Sequence, residues 1–439
     1  MLKAKNSLGL VFFPAFDWAI SPTHPERQER LLYTQDQLRE EGVFDIPGIT
    51  EYKPDMAGIE DVDRTHFSFP DAAAVTTKSH LVSAGGAIKA ARLVFEKKAD
   101  RAFAMVRPPG HHAMKCVHGA RGFCNINIEA VMIEHIREIY GPLRVAIVDT
   151  DCHHGDGTQD IYWNDPDTLF ISMHQDGRTL YPGTGFPNEM GGPGAMGKTL
   201  NIPLPPGTSD EGFLYALDNL VMPALEAFKP DLVINSAGQD NHFSDPITNM
   251  SFSAQGYAEL SRRLNAQLAV LEGGYAIQGA LPYVNLGIVL SMAGLDYSHV
   301  REPHFDPASI RQGPQVTEYI KELCGQLLKM HLNPPKKANY GEESQGWLRR
   351  KRTVYYDTDH ITEYQNEFTK LCGHCPGVMR VETDSSRNPM CLGVQIPMRA
   401  CPDCVAEGYR AFEAGQLKGK FRYLQLIDRK NKQYLRHSG

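Results

Sequence analysis

Long apolar runs, a surplus of basic residues and internal repeats are all missing from this 439-residue sequence. No stretch approaches the roughly 20 apolar residues that a membrane helix needs. The first apolar run is interrupted at Pro14 and Asp17, so we expect a strand there and not a signal peptide. Acidic residues outnumber basic ones by 52 to 45, which argues against nucleic acid as the main ligand because phosphates attract basic surfaces.

Two further absences narrow the class of protein. The glycine-rich segments Pro182-Gly-Thr-Gly185 and Gly191-Gly-Pro-Gly194 have no lysine and open no predicted helix, so we interpret them as tight surface loops and not as phosphate sites. The nine cysteines occur without a secretory signal, which indicates reduced thiols. We therefore expect a cytoplasmic protein.

Short β-branched runs alternate with longer helical patterns from Leu8 to about Gly294. This alternation predicts an α/β fold, in which a parallel sheet is covered by helices on both faces. Ligand sites in such sheets form at the carboxyl ends of the strands. The seven predicted strands are Leu8–Phe13, Ala102–Val106, Arg144–Asp149, Thr168–Met173, Lys198–Ile202, Asp231–Asn235 and Leu268–Glu272.

Chemically rich segments begin where five of these strands end. In extended backbone the side chains of Asp149, Asp151 and His153 point the same way, because alternate residues share one side of a strand. Two carboxylates and an imidazole suit a zinc-like ion, and the pair His111-His112 suits acid–base chemistry beside it. The residues alone therefore predict a metal-dependent hydrolase.

Seven motifs follow one another along roughly residues 8 to 300. They are Thr23-His-Pro-Glu-Arg27, Arg107-Pro-Pro-Gly-His-His112, Gly122-Phe-Cys-Asn-Ile-Asn127, Asp149-Thr-Asp-Cys-His-His-Gly-Asp-Gly-Thr-Gln159, Tyr181-Pro-Gly-Thr-Gly185, Ser244-Asp-Pro246 and Leu271-Glu-Gly-Gly-Tyr275. In kind and order this set resembles the histone deacetylase family, which includes the acetylpolyamine amidohydrolases. The last motif looks closer to the class II branch and its bacterial relatives. The resemblance implies an arginase-like α/β fold with a zinc-dependent amidohydrolase site.

The resemblance implies two metal ions beside the strand ends. The third ligand of the catalytic zinc is expected to be Asp245 and not the neighbouring Asp240, because Asp245 occupies the matching position in the family pattern. A potassium ion is implied next to the zinc, held partly by main-chain carbonyls. The implied zinc ligands are Asp151, His153 and Asp245, and the implied side-chain ligands of potassium are Asp149 and Ser172.

The resemblance also assigns the catalytic roles. His112 takes the proton of the attacking water and later protonates the leaving amine, while His111 gives electrostatic support. Asp149 orients His111 and Asp156 orients His112, since each imidazole needs a partner that fixes its tautomer. The Tyr275 hydroxyl donates to the oxygen that becomes an oxyanion.

Four residues are expected to bind the substrate: Gly122, Phe123, Tyr181 and Phe252. The rings of Phe123 and Tyr181 would enclose the methylenes of an acylated lysine. Polyamine-preferring relatives can carry a glutamate seven residues after the position of Asp245, where this chain has Phe252. Because no acidic residue stands at a matched position, we expect acetyl-lysine substrates in preference to free polyamines.

The C-terminal region lies outside the resemblance and contains two CxxC pairs, Cys372-Gly-His-Cys375 and Cys401-Pro-Asp-Cys404. Such pairs are typical of a structural Cys₄ zinc site, whereas a redox dithiol would need a thioredoxin-like βαβ context that is absent here. We expect a module with little core, which depends on zinc for folding and docks a protein partner. The predicted division is a catalytic domain at 1–332, a linker at 333–362 and a zinc-ribbon-like module at 363–439.

The predicted function is zinc-dependent hydrolysis of an N-acetyl or short-acyl amide, foremost on a lysine side chain. One alternative is an acetylpolyamine or other small-molecule amidohydrolase. The other is a catalytically silent deacetylase-like binding protein, which the intact set of site residues disfavours. The expected cofactors are a catalytic zinc, a structural zinc and potassium; no membrane or nucleic-acid partner is expected, and the sequence leaves the oligomeric state open.

Overall fold

The first two thirds of the chain form an eight-stranded parallel sheet in a computed structural model that describes residues 2–336, 340–417 and 419–439. The strands of this part are β1 (Leu8–Phe13), β2 (Ile49–Tyr52), β3 (Phe67–Ser68), β4 (Arg101–Val106), β5 (Cys116–Val117), β6 (Val145–Asp149), β7 (Thr168–Gln175), β8 (Thr199–Leu204), β9 (Leu232–Ala237) and β10 (Leu268–Leu271). The large sheet has the order β2-β1-β4-β10-β9-β6-β7-β8, while β3 and β5 pair separately as a two-stranded ribbon. All seven predicted strands are present, and the short edge strand β2 was missed.

Helices cover both faces of the large sheet, as predicted. Alternate residues of β4 enter two separate hydrophobic clusters, with Phe103 and Met105 on one face and Ala102 and Ala104 on the other. Among the described residues, no helix is both long and apolar enough to cross a bilayer. The helices are α1 (Glu29–Glu40), α2 (Ile59–Asp63), α3 (Ala72–Val75), α4 (Lys78–Phe95), α5 (Ile128–Tyr140), α6 (Asp156–Tyr162), α7 (Asp210–Ala216), α8 (Met222–Phe228), α9 (Ala254–Leu264), α10 (Leu281–Met292) and α11 (Pro314–Leu332).

The C-terminal region forms a second, seven-stranded sheet. Its strands are β11 (Glu342–Ser344), β12 (Trp347–Tyr356), β13 (Ile361–Lys370), β14 (Met379–Ser385), β15 (Cys391–Ile396), β16 (Tyr423–Asp428) and β17 (Gln433–Ser438). Neighbouring strands are antiparallel except β15 and β16, whose parallel pairing requires the crossover helix α12 (Pro402–Leu417). The predicted linker at 333–362 therefore contains β11, β12 and the start of β13, although residues 337–339 lie outside the described ranges.

The second sheet has apolar clusters of its own, whereas little core was expected here. One cluster lies beneath α12 and includes Val394, Phe412 and Leu426. Another is shared with the first part of the chain, because Phe67 and Phe69 pack with residues of β14, β15 and β16. Apolar burial therefore contributes to the stability of this sheet.

The buried side chain of Gln425 is one of several that connect the two parts. The Gln425 amide donates to the carbonyl oxygens of Asp63 (3.1 Å) and His66 (2.9 Å), and its oxygen accepts from the Ser68 N–H at 3.1 Å. The second sheet is thus packed onto the ribbon beside the first.

Candidate active site

Three buried side chains converge at the carboxyl ends of the neighbouring strands β6 and β9. Asp151 and His153 follow β6, and Asp240 follows β9. The His153 Nδ1 lies 2.8 Å from Asp240 Oδ2 and 3.1 Å from Asp151 Oδ1. These residues can each offer one ligand atom within 4.8 Å of the others.

The donor set fits zinc. Two carboxylates and an imidazole are ligands that zinc accepts at about 2.0–2.2 Å, so donor atoms roughly 3 Å apart can share one ion. All three side chains are buried, and two buried carboxylates within 4.8 Å of each other would repel without a cation between them. This cluster is therefore the place where a catalytic metal ion would be held.

The third member of the cluster is Asp240, so the sequence-based choice of Asp245 is wrong. The Asp245 carboxylate accepts main-chain N–H groups instead, from Tyr275 at 2.7 Å and from Ile247 at 3.1 Å. Asp245 thereby fixes the backbone of Tyr275. The sequence did contain the correct signal, because Asp240 closes a polar segment directly after a strand, as Asp151 does.

The histidine pair lies beside this cluster, and each ring has the predicted partner. His111 Nδ1 is 3.1 Å from Asp149 Oδ2, and His112 Nδ1 is 2.9 Å from Asp156 Oδ1. The two rings lie 4.1 Å apart, and both side chains are buried. Each imidazole therefore keeps Nε2 available for chemistry.

The two histidines differ in their electrostatic surroundings. Burial lowers the pKa of His111, but the carboxylates of Asp151 and Asp149 outweigh it and hold this pKa well above the ordinary value. Burial lowers the pKa of His112 far below its ordinary value, and the neighbouring charge on His111 lowers it further. The two pKa values are thus shifted in opposite directions, a pattern that suits an electrostatic stabiliser next to a general base.

The Tyr275 hydroxyl lies close to the metal cluster. A methyl group added to Gly273 would come within 2.6 Å of the Oδ2 atoms of both Asp151 and Asp240, and within 3.2 Å of the Tyr275 hydroxyl. The Tyr275 hydroxyl thus lies near the two carboxylates, and the space between these groups is open because residue 273 is a glycine. The Arg30 guanidinium lies over the Tyr275 ring, 5.1 Å from its centroid.

Sequence reasoning missed the ion-pair network that supports Tyr275. Glu26 pairs with Arg30 at 2.9 Å and with Arg107 at 2.6 Å, and all three side chains are fully buried. Arg30 in turn donates to the Gly274 carbonyl oxygen at 2.7 Å. Helix α1 begins three residues after Glu26, at Glu29, and Arg30 lies in its first turn.

The predicted channel walls lie around the histidine pair. A side chain at Gly122 would collide with the His112 ring, and the backbone there has a φ of +52°. The Phe123 and Tyr275 ring centroids are 5.9 Å apart, and the Tyr181 ring lies 5.1 Å from that of His112. Gly122, Phe123 and Tyr181 are therefore brought together at the entrance to the metal cluster.

Phe252 does not belong to this wall, and its predicted contact with substrate is wrong. Its side chain is fully buried and packs against Phe213 at 4.6 Å and Tyr257 at 4.5 Å between ring centroids. The backbone of Phe252 pairs with His242, which turns the ring into the core.

Two further predicted groups are also brought together. Asp149 and Ser172 are register partners on β6 and β7. In the C-terminal sheet, ligand atoms of Cys372, Cys375, Cys401 and Cys404 all lie within 4.8 Å of one another. The main-chain N–H of His374 donates to the Cys372 sulfur and lowers the pKa of that thiol to about 6, which favours the thiolate that metals bind.

Comparisons with known proteins agree with this geometry. A family profile described as the histone deacetylase domain matches residues 70–285. A probable deacetylase of Archaeoglobus fulgidus is 49% identical over 311 residues, which cover 64% of this chain and 85% of that protein. The acetoin utilization protein AcuC of Bacillus subtilis is 30% identical, over 67% of this chain and 84% of its own length.

A solved structure gives the same result for the fold. The crystal structure of the HDA15 HD domain superposes with a TM-score of 0.64 at 25% identity, covering 74% of this chain and 95% of that one. Sequence relatives, fold and strand-end site agree with one another. The chain therefore belongs to the histone deacetylase family and is a hydrolytic deacetylase.

Proposed function

We propose that the protein hydrolyses the N-acyl amide of a linear amine in a zinc-dependent reaction, with the acetyl-lysine side chain as its reference substrate. The observation that supports this most is the buried cluster of Asp151, His153 and Asp240 beside a neutral His112. When bound by that cluster, zinc supplies a Lewis acid that polarises the amide carbonyl and acidifies water.

The residues of the chain divide the proton transfers between them. His112 Nε2 accepts the proton of the attacking water as its oxygen bonds to the carbonyl carbon. The same nitrogen returns the proton to the amide nitrogen when the carbon–nitrogen bond breaks, so acetate and a free amine leave. Asp156 holds the required tautomer of His112 from the Nδ1 side.

Charge develops on the carbonyl oxygen during the attack. The Tyr275 hydroxyl is positioned to donate a hydrogen bond to that oxygen, and the protonated His111 stabilises the negative charge from the other side. Burial keeps both donors out of bulk water, which strengthens their effect. We also propose that Asp149 and Ser172 help to bind a potassium ion. Because the nine cysteines, all of which the structure describes, form no disulfide, we propose that the protein is located in a reducing compartment.

The test is an assay of metal-depleted and zinc-restored protein on an acetyl-lysine peptide. We expect a strong chelator to abolish acetate release and zinc to restore it. A longer acyl-lysine peptide in parallel defines the acyl preference. Full activity of protein shown by elemental analysis to contain no metal would refute the proposed function.

We propose in addition that the four clustered cysteines hold a structural zinc, since four thiolates leave no open position for a substrate. Elemental analysis should then give two zinc ions per chain. The double variant Cys372→Ser, Cys404→Ser should lose one of them, whereas Cys324→Ala, a buried cysteine outside the cluster, should keep both. A single zinc in the unaltered protein that survives the double substitution would contradict the site.

A further inference from the structure

The turn between β12 and β13 in the second sheet reaches the channel entrance of the first domain. At its tip, Asp357 Oδ1 accepts the Gly122 N–H at 2.9 Å and the Tyr181 hydroxyl at 3.2 Å. Both residues lie next to the His112 ring, so one carboxylate from the C-terminal sheet connects two parts of the predicted channel wall. The channel entrance is therefore completed by a residue outside the stretch that the family profile matches.

A second aspartate holds the turn in place. Asp359 Oδ2 accepts the Ala120 N–H at 2.8 Å and lies 3.6 Å from the Arg387 guanidinium. The Arg121 side chain also contributes, because its Nε donates to the Tyr355 carbonyl oxygen at 3.2 Å. Asp357 is thus anchored by neighbours that leave its position little freedom.

Neighbouring charged groups form ion pairs with other residues, and Arg121 acts on Asp357 only as a nearby charge. Arg121 forms an ion pair with Asp156 at 2.6 Å, and Asp359 faces Arg387. Within the described ranges, Asp357 has no ion-pair partner and its Oδ2 accepts no hydrogen bond. Because Asp357 is partly exposed, a molecule that enters the channel can approach its side chain.

We propose that Asp357 is a specificity-determining residue that recognises a positively charged nitrogen on the substrate, beyond the methylenes enclosed by the channel. The proposal rests on the proposed function, since it concerns the same amide-hydrolysing site. A carboxylate beside an ammonium group forms a charge-assisted hydrogen bond, which is stronger than one between neutral groups. The expectation that free polyamines are disfavoured depended on the lack of an acidic residue at the entrance, and Asp357 removes that reason.

The test compares two substrates of equal length on the full-length, zinc-loaded protein. N-acetylputrescine carries a terminal ammonium, and N-pentylacetamide carries a methyl group in its place. Asp357→Asn keeps an oxygen that can accept from Gly122 and Tyr181 but removes the charge. We expect the ratio of kcat/KM for the charged over the neutral substrate to fall by about tenfold in this variant, the size of one charge-assisted contact.

Asp359→Asn is the matched control. It keeps an oxygen that can accept from the Ala120 N–H and so hold the turn, and it should leave the same ratio within about twofold because Arg387 already faces that carboxylate. Raising the salt concentration should lower the ratio in the unaltered protein, since exposed charges are screened. An unchanged ratio in Asp357→Asn, or an equal fall in Asp359→Asn, would overturn the proposal.

A blocked acetyl-lysine peptide gives the third comparison, because its main-chain N–H groups donate without charge. A loss on this peptide as large as that on N-acetylputrescine would mean that Asp357 recognises any N–H donor, and the assignment to charge would fail. Failure of the proposed function has a different signature, namely that the unaltered zinc-loaded protein hydrolyses none of the three amides.

Discussion

Asp240→Asn is expected to remove the catalytic zinc and to lower turnover by more than about a hundredfold. Substitution of a residue that only orients a metal ligand typically lowers metal affinity or activity by about 10–100-fold. Asp240 contacts His153 within the cluster, so we expect a larger effect from its loss. The measurement is zinc content by elemental analysis together with kcat on an acetyl-lysine peptide.

Asp245→Asn provides the matched control, since it is the same substitution five residues later. Burial raises the pKa of Asp245 to about 7, and the charge of Asp240 adds to this, so a neutral amide resembles the native group. We expect this variant to keep its zinc, and to lose turnover only through the backbone of Tyr275. Zinc lost from Asp245→Asn but kept by Asp240→Asn would reverse the assignment of the third ligand.

His112→Ala should lower kcat by about 10²–10⁴-fold with little change in KM, because it removes the proton acceptor and not a substrate contact. His154→Ala is the control, since His154 bonds Thr184 and Gln159 and faces away from the reaction; we expect a loss of less than about tenfold. A fall in affinity alone would make His112 a substrate contact.

The pH profile gives an independent check on His112. A general base acts while it is neutral, and the pKa of His112 lies well below its ordinary value of 6.5. Activity of the unaltered protein should therefore persist as the pH falls through about 6.5 and decline only below it. The residual activity of His112→Ala should lack that decline.

Much of the first domain could be predicted because its signals are local. Each strand of the large sheet except the short β2 is a compact apolar run, and the polar residues that follow such runs meet at one edge. The pairs His111–Asp149 and His112–Asp156 lie on adjoining strand ends and could be matched from the family pattern.

The errors all depend on the path of the chain in space. Asp240 and Asp245 share one loop, and only its course shows that the first faces His153 while the second turns toward Tyr275. Glu26 and its partner Arg107 are 81 residues apart, so no local pattern indicates their ion pair. Asp357 and Gly122 are in contact but 235 residues apart in the sequence, and no sequence pattern predicts a contact over such a separation.

The contacts of Gln425 bear on the order in which this protein can mature during synthesis. The ribosome releases residues 63–68 long before residue 425. The carbonyl oxygens of Asp63 and His66 therefore lack their hydrogen-bond donor, the Gln425 amide, until translation is nearly finished. Until then Phe67 and Phe69 lack the apolar cover of Ile427 and remain open to chaperones or to aggregation. If a ribosome stalled before the second sheet was synthesised, all strands of the large sheet would be present in the nascent chain, but the β3–β5 ribbon would still be exposed.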